Sequence, residues 1–171
     1  MLQVLDSIQV PPGSLGIREA YALAGETRIV VSAPPNLLCL DISTQRILAA
    51  VPMTPSEIIS ASNQPPRVYL TSGGWTVEGM ATGLVREFSA TLDSLATFRL
   101  PELPSGINRA GLEVVLSADG LEAYVLTGTP SISFERHHAE VVILDLQNRA
   151  VRAVIPLGDF GTALRLFRVS F

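Results

Sequence analysis

Two histidines, His137 and His138, stand side by side in Glu135-Arg-His-His-Ala-Glu140, and they are the only imidazoles in the chain. Histidine is the usual general base and metal ligand near neutral pH. Neighbouring residues on a strand point to opposite faces, however, so the two cannot grip one ion together. No His-Glu-x-x-His or Cys-x-x-Cys spacing supplies further ligands. The pair reads as the surface tip of a hairpin. It joins Trp75, in Ser72-Gly-Gly-Trp-Thr76, as a candidate ligand-binding residue. An aromatic ring in a loop offers a binding platform or plugs the contact between sheets.

Three aspartates, Asp41, Asp93 and Asp145, each follow a leucine and recur at even spacing along the chain. Even spacing predicts equivalent positions, each carboxylate accepting backbone N–H groups in the turn that follows. Cys39 lies in Leu37-Leu-Cys-Leu40 and reads as a small buried hydrophobe, since no neighbouring cation lowers its pKa. Serines are frequent, but no Gly-x-Ser-x-Gly elbow or His-Asp partnership nominates one as a nucleophile. No catalytic residue, metal or cofactor follows from these residues.

Every base is arginine. The absence of lysine removes Schiff-base chemistry and a P-loop lysine. Sixteen acids against twelve bases give a formal charge of −4. Phosphate neutralisation dominates affinity for nucleic acid, so no nucleic-acid partner is expected. No apolar run reaches the roughly 18 residues that would span a bilayer, and no membrane role is expected either. The first residues lack the charged start and long apolar stretch of a secretory signal. A complete chain of this kind fits the cytoplasm, and a piece cut from a longer extracellular or periplasmic protein reads the same.

At 47% hydrophobic and 16% charged, the 171 residues have the composition of a folded domain. Runs rich in β-branched and aromatic residues read as strands: Arg28-Ile-Val-Val-Ser32, Arg67-Val-Tyr-Leu-Thr71 and Glu122-Ala-Tyr-Val-Leu-Thr127. A further short strand and a turn precede each one. Asp119-Gly120 is the strongest of these turn signals, because glycine accepts positive φ. Gly16–Ala24 and Val85–Leu92 pass as helices on propensity alone, but the repeat places strands there. Each unit thus reads as four antiparallel strands in about 50 residues. The variable hairpin lies between its second and third strands.

The third unit, Leu116-Ser-Ala-Asp-Gly-Leu-Glu-Ala-Tyr-Val-Leu-Thr127 followed by Val141-Val-Ile-Leu-Asp-Leu-Gln-Asn-Arg149, resembles the YVTN-type β-propeller repeat. The resemblance implies an all-β fold, a partial β-propeller of about three four-stranded antiparallel blades plus flanking strands. The blades are expected over 14–53, 54–104 and 105–158. Residues 1–13 would be the outer strand of a preceding blade and 159–171 the start of another. Propellers close with about four to eight blades, so three leave an open arc. Such an arc belongs to a larger propeller, or closes against a protein partner or a second copy. The expected role is a non-catalytic binding scaffold. The resemblance also implies an alternative, a lactonase-like enzyme holding a divalent metal near a central channel.

Overall fold

The computed structural model of the chain describes residues 9, 11–23, 27–55, 57–63, 65–72, 81–128 and 137–160. Twelve strands lie among them. The first four are β1 (Glu19–Ala22), β2 (Arg28–Ala33), β3 (Asn36–Asp41) and β4 (Arg46–Pro52). The next four are β5 (Glu57–Asn63), β6 (Pro66–Ser72), β7 (Leu84–Ser89) and β8 (Ser94–Arg99). The last are β9 (Ala110–Leu116), β10 (Glu122–Gly128), β11 (His137–Asp145) and β12 (Ala150–Phe160).

They form three separate four-stranded sheets, β1 to β4, β5 to β8 and β9 to β12, each paired in chain order and antiparallel throughout. Both segments with competing helical propensity contribute strands, β1 and β7. Val85 and Phe88 are buried among residues of other strands, and that packing outweighs local preference. Residues 1–8, where most of a preceding strand is expected, and 161–171, where a further blade is expected, lie outside the described residues. Pro11–Gly13 holds a turn, and β12 runs on to Phe160.

The sheets stack face to face through two apolar seams. Val30, Leu37 and Cys39 of sheet 1 meet Val68, Leu70 and Phe88 of sheet 2. On the other side of sheet 2, Tyr69, Val85 and Phe98 meet Val114, Val125 and Val142 of sheet 3. Val68, Tyr69 and Leu70 are consecutive and all but inaccessible. A strand buried on both faces loses the apolar–polar alternation of a half-wet sheet. The fourth strand β4 is largely exposed, as are Ala150, Val151, Arg152, Ile155 and Pro156 of β12.

Neighbouring first strands converge, and side chains stitch them. The Ile59 N–H of β5 donates to Glu19 Oε2 of β1 at 3.2 Å, and the Val114 N–H of β9 donates to Ser60 Oγ of β5 at 3.1 Å. These bonds satisfy backbone donors that a strand edge leaves unpaired.

Arginines pin the crossovers between sheets. Arg86 donates to the Pro52 carbonyl (3.2 Å) and pairs with Glu57 (2.7 Å). Buried Arg109 donates to the carbonyls of Pro101 and Glu102 and pairs with Glu140 at 2.5 Å.

One sequence expectation changes. Asp41 ends β3 opposite Arg28, and Asp145 ends β11 opposite Glu122. On sheet 2 the matching residue opposite Arg67 is Ser89. Asp93 instead follows the turn, its carbonyl accepting the Ser89 N–H at 2.9 Å. The turn of sheet 2 is shorter, and even spacing of the three aspartates is not equivalence.

Phe88 fills the first seam at 3% exposure. Phe88→Ala is expected to cost about 3–5 kcal/mol by leaving a cavity, read as a lower urea midpoint at unchanged slope.

Candidate functional site

The turns after the third strands share one construction from different residues. Asp41 Oδ1 accepts the N–H groups of Ser43 (2.8 Å) and Thr44 (3.1 Å) and the Ser43 hydroxyl (2.6 Å). Asp145 accepts the Asn148 N–H at 2.8 Å and its side-chain amide at 2.8 Å. On sheet 2 the hydroxyl of Ser89 does this work, accepting the N–H groups of Thr91 and Asp93, both at 3.1 Å. Asp93 Oδ2 in turn accepts the hydroxyls of Thr91 (2.6 Å) and Ser89 (3.0 Å).

Between β9 and β10, Asp119 accepts the Ser117 hydroxyl (2.6 Å) and the Leu121 N–H (3.0 Å). Gly120 follows at φ +71, and a Cβ there would lie 2.6 Å from Pro65 Cδ of the neighbouring sheet.

All four carboxyls are held below the usual aspartate range by the bonds they accept. The largest contribution comes from the Ser43 hydroxyl for Asp41, the Thr91 hydroxyl for Asp93, the Ser117 hydroxyl for Asp119 and the Asn148 N–H for Asp145.

At this turn end the seam between sheets 2 and 3 opens into a hollow of about 290 Å³. Its floor comes from sheet 2. Glu87 Oε1 accepts the Tyr69 hydroxyl at 3.3 Å and pairs with Arg67 Nε at 3.3 Å. Its far wall is made by turns of sheet 3, through Gly120, Leu146, Gln147 and Arg149. Burial, then the negative charge of Glu87, pushes the Tyr69 hydroxyl far above the ordinary phenol range. It serves as a hydrogen-bond donor and not as a nucleophile.

A second hollow of about 540 Å³ lies on sheet 3, bordered by Asp119, Leu121, Glu122, Tyr124, Asp145 and Arg152. Tyr124 donates to Glu122 at 2.9 Å, and Glu122 also pairs with Arg152.

Of the sequence candidates, Trp75 lies outside the described residues. His137 and His138 are consecutive in β11, paired with Phe160 and Asp159. Asp119, Gly120 and Asp145 border the two hollows, while Asp41 lies on sheet 1 and Asp93 on sheet 2. Among the described residues, no group of three or more His, Cys, Asp or Glu is placed to hold a metal ion.

Sequence reasoning overlooked the Tyr69–Glu87–Arg67 group. Its signal was present: Arg86-Glu87 interrupts an apolar strand, and charges inside a buried strand need partners.

No protein-family model matches the sequence, and no curated protein matches it. Its backbone is similar to the β-propeller domain of Cps50 (Swd1) from Myceliophteria thermophila, with a TM-score of 0.56 at 10% identity. That overlap covers 81% of this chain and 40% of that one. The chain has a β-propeller fold. It spans about two-fifths of the length of the Cps50 propeller chain. Weaker overlaps occur with hydrazine synthase of Kuenenia stuttgartiensis (TM-score 0.41, 11% identity, 92% of this chain and 53% of that one) and dihydro-heme d1 dehydrogenase NirN (0.43, 9%, 85% and 39%). These two add nothing to the assignment.

Two tests address the turns. The depressed carboxyls contribute stability that is fully present above the unfolded aspartate value of about 3.9 and is lost as pH falls through their lower folded values. The urea midpoint should therefore drop below about pH 4, and less steeply in Asp41→Asn. Gly120→Ala should destabilise by at least about 1–2 kcal/mol from positive φ alone, with the Pro65 contact adding to it, read by thermal unfolding.

Proposed function

We propose that the chain is a non-catalytic β-propeller scaffold of the YVTN type, working by binding, with its end sheets covered by a protein partner or by self-association. In this reading 14–53, 54–104 and 105–158 are successive blades of a larger or jointly closed propeller. The long hairpins around Trp75, His137 and His138 supply the ligand face.

The observation that carries the reading is the outer face of sheet 3. Ala123, Val125, Val142 and Leu144 face sheet 2. By alternation Tyr124, Leu126, Val141, Ile143 and Ile155 point the other way. No described sheet lies against that face: Leu126 and Val141 in its middle are buried, while Ile155 at its margin is 45% exposed. An apolar margin left open beside an end sheet points to a partner.

The test is a hydrolysis assay of the purified chain on simple lactones with calcium, manganese or zinc. The expected rate is the background rate with every ion. Metal-dependent turnover that a chelator abolishes would overturn the scaffold reading in favour of a lactonase-like enzyme.

A further inference from the structure

The two internal seams differ at one matched position. In the first, Val30 of β2 lies opposite Cys39 of β3, and both are completely buried. The Cys39 thiol donates to the Ala90 carbonyl of sheet 2 at 3.4 Å, so this seam is apolar and drawn shut. Tyr69 and Glu87 are the matching pair on sheet 2. They lie two residues inside Arg67 and Ser89, as Val30 and Cys39 lie inside Arg28 and Asp41. Leu146, just after the third strand of sheet 3, matches Ala90. Here the seam stands open, and Glu87 and Leu146 line the hollow of about 290 Å³.

Packing between sheets therefore does not call for the polar pair. A small apolar pair closes the same register position in the first seam, and burying a carboxylate costs free energy that its hydrogen bonds only offset. Tyr69 is 1% exposed and Glu87 8%. The Tyr69 hydroxyl holds Glu87, and Glu87 in turn fixes Arg67 through Nε. Arg67 also donates to the Pro66 carbonyl at 3.0 Å, and these bonds use only part of its donor set. Its side chain stays 33% exposed at the edge of the hollow.

The far wall adds a second cation, Arg149, in the turn between β11 and β12. Two guanidiniums against one carboxylate give the lining a positive balance, in a chain whose formal charge is −4. Leu95, Ala96 and Leu146 supply apolar surface beside them. The planar fork of arginine matches a carboxylate. The volume lies at the lower end of ligand pockets, roughly 300 Å³, and suits a small molecule or the last residue of a chain.

We propose that the hollow is a binding site for a carboxylate on a short apolar chain: Arg149 and Arg67 hold the carboxylate from opposite walls, and Leu95, Ala96 and Leu146 pack against the chain. Glu87 and Tyr69 position Arg67. The site lies at the turn end of the strands, opposite the long hairpins, and goes beyond the scaffold reading.

The test follows the backbone amides of the full chain by NMR as sodium isovalerate is added at fixed pH and ionic strength. The amides of Gly120, Gln147 and Arg149 should shift and saturate. Isovaleramide, equal in shape and uncharged, should move none of them. Acetate keeps the charge and lacks the apolar body, and should bind weaker by about tenfold or more. Arg149→Gln, at an exposed turn position, should leave Tm unchanged and weaken isovalerate by about tenfold or more. N-acetyl-leucine separates the two sources: tighter binding than isovalerate assigns the site to a chain terminus, weaker binding to a free acid. Failure of both acids to saturate would overturn the proposal. So would isovaleramide or acetate binding as well as isovalerate, or an Arg149→Gln variant of undiminished affinity.

Discussion

A sheet that is apolar on both faces is stable only with another layer against each, and this requirement governs the molecule. Sheet 2 shows it most fully, with Val68, Leu70 and Phe88 turned to one neighbour and Tyr69, Val85 and Phe98 to the other. Burying a large apolar side chain contributes about 1.5–3 kcal/mol, and among the described residues most of them lie in the two seams, with a smaller cluster of Val31, Ala33, Leu38 and Leu40 on the other face of sheet 1. The stack is therefore held sideways, between sheets, more than within any one of them.

Polar groups follow from that arrangement. Stacking sheets face to face leaves first-strand edges and crossovers between layers without ladder partners. Glu19 and Ser60 answer the first need, Arg86 and Arg109 the second. Arginine suits the crossovers because its planar fork reaches a carbonyl and a carboxylate at once. A chain whose bases are all arginine uses at least these two as structural clamps, so they form no basic surface. Glu87 is spent likewise on Tyr69 and Arg67.

The repeat tolerates chemical variety where geometry alone matters. Each third-to-fourth strand pair shifts register near its turn, at Cys39/Leu40, Glu87/Phe88 and Ile143/Leu144, and the last pair shifts again at Ala139/Glu140. Each turn closes on a short oxygen-bearing side chain, aspartate twice and serine once. A hydroxyl or a carboxylate can accept the same backbone donors, so residue identity drifts while the turn persists.

Much of the fold was legible in the chain. β-branched runs, Asp119-Gly120 and the repeated strand–turn order specify twelve strands in three sheets, because strand propensity and turn chemistry act over a few residues. The helix-like stretch at Val85 could be placed correctly only through the repeat. Other features were beyond reach. The equivalence of Ser89, and not Asp93, with Asp41 and Asp145 depends on pairing across strands, which linear spacing does not encode. The meeting of Tyr69 with Glu87, and of Gly120 with Pro65, depends on how one sheet sits on the next. Local signals act along the chain, while sites between sheets arise from contacts far apart in it, and only the packed structure brings those residues together.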